Sequence, residues 1–296
     1  MQPSSWSKST PMPSGNLNFC AAAYGPKLFV GGGYNYPPPE YKQSVIQFDA
    51  TTESWSTQFP PMAVSRDAFG CGIINGLLYA VGGESGFYPF TLSTVERLDL
   101  DSNFTGWQYV RSMQEARQGH AVAVLDGLLY AAGGMAADAS STILASVERY
   151  DGSTDEWAVL PPMLHPRCYF GLAGHGGLLY ALGGLSGSGY DKFVLSSVEA
   201  YDTKEGIWRE LTPLPEPRER MSVAADAYRL FVLGGCAAKQ PGTQDPCDTL
   251  LNSVLVNTPS SNRSQRLGGW TAAPDLPAAN AWFGAAVLAN SLWAVG

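Results

Sequence analysis

The chain repeats itself. Leu28-Phe29-Val30-Gly31-Gly32-Gly33 returns as Leu78-Tyr79-Ala80-Val81-Gly82-Gly83 and again as Leu129-Tyr130-Ala131-Ala132-Gly133-Gly134. Leu179-Tyr180-Ala181-Leu182-Gly183-Gly184 and Leu230-Phe231-Val232-Leu233-Gly234-Gly235 follow, and a sixth copy stands at Leu292-Trp293-Ala294-Val295-Gly296. Successive copies start 50 or 51 residues apart, until the fifth unit stretches to 62. Self-similarity at such a period means one small unit built several times, each burying its apolar face only against its neighbours.

Further marks keep register with the glycines. An alternating segment ending in Asp follows them at residues 45–49, 95–99, 147–151 and 198–202. A tryptophan comes next, as Trp55, Trp107, Trp157, Trp208 and Trp270. Six or seven residues on stands Met62, Met113, Met163, Leu214 or Leu276, usually beside prolines. Four residues later comes Arg66, Arg117, Arg167 or Arg218, with Asn280 in the last unit.

These marks read as four strands per unit. After each Arg the sequence is rich in Ala, Gly and Val, as at 121–124 and 223–225, and small side chains suit an innermost strand crowded around an axis. Asn75-Gly76 and Asp126-Gly127 supply the positive φ angles of a two-residue hairpin. The second strand ends at the double glycine, and the segment ending in Asp alternates as a half-buried third strand should. Tryptophan belongs on an outer fourth strand, and the prolines after it mark a chain leaving the sheet.

The hydrophobic-Tyr-x-x-Gly-Gly core, the trailing Trp and the Pro-Met…Arg spacing resemble the Kelch repeat family over essentially the whole chain. That resemblance implies an all-β fold, a six-bladed β-propeller of four-stranded antiparallel blades. The chain reads as one domain, 1–296, with units at about 14–62, 63–113, 114–163, 164–214 and 215–276. Residues 277–296 plus 1–13 make the sixth, because Trp6, Met12 and Asn16 copy the end of a unit. Residues 6–10 are therefore expected as the outer strand of the last blade, whose third strand is missing. Stopping within a Gly-Gly pair reads as a fragment of a longer protein.

Composition narrows the partners. With 45 % hydrophobic and 15 % charged residues the chain can bury a large core. A net charge of −8 and a pI near 4.9 repel phosphate backbones, so neither nucleic acid nor an anionic membrane is expected as a partner. None of the five cysteines forms a C-x-x-C pair, which reads as idle thiols in a reducing cytoplasm, although Cys236 and Cys247 are close enough to pair in an oxidising compartment. The first ten residues lack the apolar core of a signal peptide, so a cytoplasmic location is expected. The glycosylation sequons at Asn103 and Asn262 are then matches by chance.

Catalytic signals are sparse. His120, His165 and His175 fall at different repeat positions and make no zinc or H-E-x-x-H spacing, so no metal or cofactor is expected. The resemblance implies two enzymatic alternatives. A copper oxidase would need a Tyr, His and Cys set that cannot be assigned here. A sugar epimerase or mutarotase would need charged groups such as His120, Glu219 and Arg220 converging at the channel mouth. The recurrent Arg residues read as structural, bonding turn carbonyls, rather than as an anion-binding ring.

In Kelch substrate adaptors, partners meet the loop after each Arg and the loop after each double glycine. Carried onto this chain, the first loop offers Asp67, Gln118, Tyr169, Glu219, Arg220 and Trp282. The second is aromatic, with Tyr34, Tyr36, Tyr41, Phe87, Tyr88, Phe90 and Tyr190. Tyr36 and Tyr88 are the strongest candidates there, since exposed aromatics among scattered charges make protein-binding hot spots. The expectation is a non-enzymatic scaffold that binds a protein or peptide on its loop face. No helical domain precedes Trp6, so a ubiquitin-ligase adaptor role resting on an N-terminal BTB domain is not expected.

Overall fold

The computed structural model describes residues 5–35, 40–86, 90–101, 106–138, 140–189, 191–237, 247, 249–259 and 267–296. Each repeat becomes an antiparallel sheet whose strands follow chain order from the axis outward. The first blade is Cys20–Tyr24, Lys27–Gly31, Val45–Asp49 and Ser54–Ser56. Blades two to five repeat it, opening with inner strands Gly70–Ile74, Ala121–Leu125, Gly171–His175 and Ser222–Ala225. The sixth sheet holds two strands among the described residues, Gly284–Leu288 and Ser291–Val295.

Inner hairpins form where the turn residues accept left-handed backbone. Asn75 and Gly76 have φ of 50° and 75°, and Asp126 and Gly127 have 52° and 75°, as a type I′ turn requires. Each inner strand lies against those of the two neighbouring blades, and the ring closes between Cys20–Tyr24 and Gly284–Leu288. Glycine makes that crowding possible. A Cβ on Gly171 would stand 2.0 Å from Val223 Cγ2 of the next blade.

The double glycine latches one blade to the next. Gly33, Gly83, Gly134 and Gly184 donate their N–H to the carbonyls of Arg66, Arg117, Arg167 and Arg218, at 2.8–2.9 Å. The glycine before each takes φ near +60°, where a side chain would strike that same carbonyl. The Arg side chains turn back into their own blade. Arg66 Nη1 donates to Gly82 O at 2.7 Å and to Thr94 O at 2.9 Å, while Nη2 reaches Glu96 at 2.8 Å. Arg117 pairs likewise with Glu148 and Arg167 with Glu199, whereas Arg218 pairs with the partly exposed Glu216 two residues before it. All four arginines are fully buried, so they hold turns and form no anion-binding ring.

The tryptophans staple blades together from outside. Trp55 Nε1 donates to Thr10 O, Trp107 to Pro60 O, Trp157 to Arg111 O and Trp208 to Pro161 O, at 2.8–3.1 Å. Trp6 makes the same bond to Pro274 O at 2.8 Å, so it holds the outer tryptophan position of the sixth blade. Residues 6–10 are not a strand, which corrects the expectation for that segment.

Candidate functional site

Two residues beyond each Arg, or its Asn counterpart, the chain turns at the mouth of the central channel. The six positions are Asn18, Ala68, Gly119, Tyr169, Arg220 and Trp282, with φ between 48° and 59°. Five main-chain hydrogen bonds link them in series from blade to blade. Ala68 N–H donates to Asn18 O, Gly119 to Ala68 O, Tyr169 to Gly119 O, Arg220 to Tyr169 O and Trp282 to Arg220 O, at 2.7–3.2 Å. Asn and Gly accept left-handed backbone readily, whereas Tyr, Arg and Trp are strained by about 1–2 kcal/mol each. Asn18 and Gly119 at shared repeat positions were the sequence signal that could have disclosed this ring.

On one side of the ring the side chains stack. Arg220 Cζ lies 4.7 Å from the Tyr169 ring centre and 5.0 Å from that of Trp282. Its Nη1 donates to Glu219 Oε1 at 2.5 Å, and Glu219 is itself fully buried. Tyr169, Arg220 and Trp282 remain half-buried, open toward the mouth. Burial, with the neighbouring Cys168 adding to it, pushes the Tyr169 hydroxyl well above the usual tyrosine range. The Cys168 thiol beneath is pushed up to about 12 by burial and the nearby Glu219 charge, so it is an inert thiol.

The opposite side is acidic. Asp67 is 8 % exposed and bridges Glu84, the residue after the second blade's double glycine. Burial raises the Asp67 carboxyl to about 7, with a weak bond from Asn18 Nδ2 at 3.5 Å opposing and Glu84 reinforcing. Gln118 Nε2 donates to Thr91 Oγ1 at 3.4 Å. Of the aromatic loop, Tyr34 and Tyr41 are half-buried and packed edge to face at 5.3 Å, which corrects their reading as exposed. Phe90 is exposed. Tyr36, Phe87, Tyr88 and Tyr190 lie outside the described residues.

The epimerase constellation does not assemble. His120 is buried between the second and third blades against Gly70, Gly82 and Gly134, and burial beside Arg117 and Arg66 lowers its pKa to about 3. Glu219 and Arg220 instead pair with each other beside Tyr169 and Trp282.

The cysteines were expected as idle thiols, with Cys236 and Cys247 close enough to pair in an oxidising compartment; the structure brings together that pair and also Cys20 with Cys71. Cys20 and Cys71 face each other from the inner strands of blades one and two, Cα to Cα 5.8 Å, and Cys236 and Cys247 stand at 5.2 Å. Both distances suit a disulfide. The cytoplasmic expectation therefore loses the support it drew from idle thiols. Among the described residues no helix is long and apolar enough to cross a membrane.

Blades repeated around a closed ring of inner strands define a β-propeller. The family described as the KLHDC2/KLHL20/DRC7 Kelch-repeats domain matches residues 18–235, and the chain belongs to the Kelch-repeat family. It is similar to Kelch-like protein 40 of Xenopus tropicalis, 29 % identical over 77 % of this chain, and to Kelch-like protein 36 of Rattus norvegicus, 27 % identical over 96 %. Beta-scruin of Limulus polyphemus is 25 % identical over 74 %. The chain spans 36 % and 44 % of the two Kelch-like proteins and 24 % of beta-scruin. The solved structure of YjhT superposes with a TM-score of 0.76 over 97 % of this chain and 92 % of its own, at 15 % identity, a likeness of fold alone.

Proposed function

We propose that this propeller is a non-enzymatic scaffold that binds a protein or peptide across the channel mouth. One observation carries the reading: six positions with the same backbone hold six different side chains, and the bulky three stack as Tyr169–Arg220–Trp282. Strained aromatic and Arg side chains held half-open on a rigid ring are what a recognition surface needs. Asp67 and Gln118 supply polar groups beside it and buried Glu219 holds Arg220, while Tyr36 and Tyr88, proposed from the sequence as further contacts, lie outside the described residues. The Kelch-like relatives support the protein-binding class, and the acidic balance supports a partner other than nucleic acid or an anionic membrane.

The test is capture of a partner by the 296-residue chain, followed by affinity and melting measurements on Tyr169→Ala, Arg220→Ala and Trp282→Ala. A loss of about 2 kcal/mol in binding, beyond any change in stability, supports the site. Unchanged affinity with lowered stability means the stack is packing and the site lies elsewhere.

A further inference from the structure

Blade two departs from its neighbours at the channel mouth. In blades one to five, the residue after the Arg or Asn mark faces the residue after the double glycine across an antiparallel bridge. The pairs are Leu17–Tyr34, Gln118–Met135, Cys168–Leu185 and Glu219–Cys236, but in blade two Asp67–Glu84. Residues so opposed hold their Cβ atoms about 4.5–5.5 Å apart on one side of the ladder, so two acids share one place. In blades three and four the same level is apolar, where Met135, Ile143, Cys168, Leu185 and Val194 form one buried cluster. The fold itself therefore asks for no charge there.

The two acids lack a counter-charge. Asp67 is 8 % exposed, and its Oδ1 has no hydrogen-bond partner among the described residues, while Oδ2 takes the long bond from Asn18. Among the described residues no Lys, Arg or His pairs with Asp67 or with half-buried Glu84. Residues 36–39 and 87–89 of the adjoining loops are Tyr, Pro and Phe, and bring no positive charge. Across the mouth, the charge of Arg220 is already taken by Glu219. Burial and then Cys168 chiefly raise the Tyr169 hydroxyl, and Asp67 and Glu84 add to that rise, so both carboxylates act across the mouth. A buried carboxylate beside a second acid is unfavourable without a cation. A cation from outside the chain would relieve it.

We infer that the Asp67–Glu84 pair receives a lysine or arginine side chain of the bound peptide, an assignment that rests on the scaffold reading of the mouth. A side-chain cation can donate charge-assisted hydrogen bonds to both carboxylates at once. A divalent ion suits the place less well, since it wants more oxygen ligands than two acids offer. No group of three or more His, Cys, Asp or Glu able to hold a metal occurs among the described residues. The net charge of −8 draws a basic partner toward the protein. Tyr169 and Trp282, stacked on Arg220 at the far side, offer the same peptide an aromatic anchor.

The probe is a displayed library of random peptides, selected on the intact 296-residue chain at about pH 8, where Asp67 is ionised. Recovered peptides are titrated against the parent, Trp282→Ala, Asp67→Asn and Glu84→Gln, and again with their basic residue replaced by Gln. The expected result is a shared Lys or Arg whose replacement weakens binding by about tenfold or more, with a like loss in Asp67→Asn. Combining the Gln peptide with Asp67→Asn should add little further loss, as for two groups in contact. Asp67→Asn keeps the shape of the side chain and should melt no lower than the parent at that pH, so affinity lost there is not fold lost. Peptides without a shared basic residue, or weakened by Trp282→Ala but by neither acid variant, would overturn the cation pocket and leave the mouth as the binding face. No recovered peptide, or none weakened by any of the three variants, would overturn both. Should one acid variant fail to fold, the other still decides.

Discussion

Arg220 and Trp282 meet across the seam of the fifth and sixth blades, guanidinium carbon 5.0 Å from the indole centre, while Tyr169 closes on Arg220 at 4.7 Å from its other neighbour. A half-buried cation between two rings couples three blades through side chains as well as backbone. In a double-mutant cycle, Arg220→Ala and Trp282→Ala should show a coupling of about 0.5–1 kcal/mol in unfolding free energy. Additive effects would mean the rings and the guanidinium are neighbours without attraction.

Asp67 gives the mouth a pH dependence. Its carboxyl is raised to about 7 in the folded state, above its ordinary value of 3.8, so folding favours its protonated form. The stability it contributes is complete below pH ~4 and is lost as pH rises through about 7. Asp67→Asn removes this loss. Relative to the parent, the variant should gain up to about 4 kcal/mol between pH 4 and 8.5, seen in parallel denaturant titrations. A gap between the two that stays constant with pH would show that Asp67 is solvated and ordinary.

Gly171 tests the crowding of inner strands. A Cβ there would come 2.0 Å from Val223 Cγ2, too close for either strand to yield without shifting. Gly171→Ala should cost about 1–3 kcal/mol as overpacking, and Val223→Ala in the same chain should restore much of it. If Val223→Ala only adds to the damage, the contact is not the cause.

Much of this architecture was legible because the repeat states it several times. Hairpins at Asn75-Gly76, the latch at Gly32-Gly33 and the outer position of Trp157 are local chemistry, fixed by φ preferences and side-chain size. The channel-mouth residues were named from their offset to Arg66 and its copies. Their stacking was not readable, since Tyr169, Arg220 and Trp282 come from three units and meet only once the ring has closed. Burial was misjudged for the same reason. Tyr34 and Tyr41 look exposed along a loop, yet they pack on each other once the loop folds back. Cys20 and Cys71, one repeat apart, become neighbours because inner strands of adjacent blades lie side by side.

The buried ion pairs offer a sharper test of how one blade can substitute for another. Arg66 and Glu96 are both sealed from water, and Glu96 Oε2 also accepts the Ala63 N–H at 2.7 Å. Removing Glu96 alone leaves a buried guanidinium without its counter-ion, so Glu96→Ala should cost about 3–5 kcal/mol. Blade one shows the apolar solution to the same geometry, with Asn16 Nδ2 donating to Gly32 O at 3.1 Å and Ile46 in the Glu position. The triple replacement Arg66→Asn, Glu96→Ile and Ala63→Pro should therefore recover most of the loss in chemical denaturation. Recovery requires all three, because Ala63 would otherwise keep an N–H with no acceptor. A triple variant no more stable than Glu96→Ala alone would show that the two kinds of blade are not interchangeable.

The last prediction concerns the cross-link between blades. Cys20 and Cys71 lie 51 residues apart in sequence and 5.8 Å apart at Cα, so their bond would tie the first two inner strands at the axis. Closing a loop of that length removes denatured-state entropy worth about 4 kcal/mol on the chain-entropy account. Under oxidising conditions Cys71→Ala should melt below the parent, and under reductant the difference should shrink to a small packing change. Peptide mapping without reduction should join the Cys20 and Cys71 peptides, and separately those of Cys236 and Cys247, leaving Cys168 as the one buried thiol. Thiol counting in denaturant discriminates cleanly: one reactive group per chain supports both pairs, and five would mean the paired geometry is only proximity.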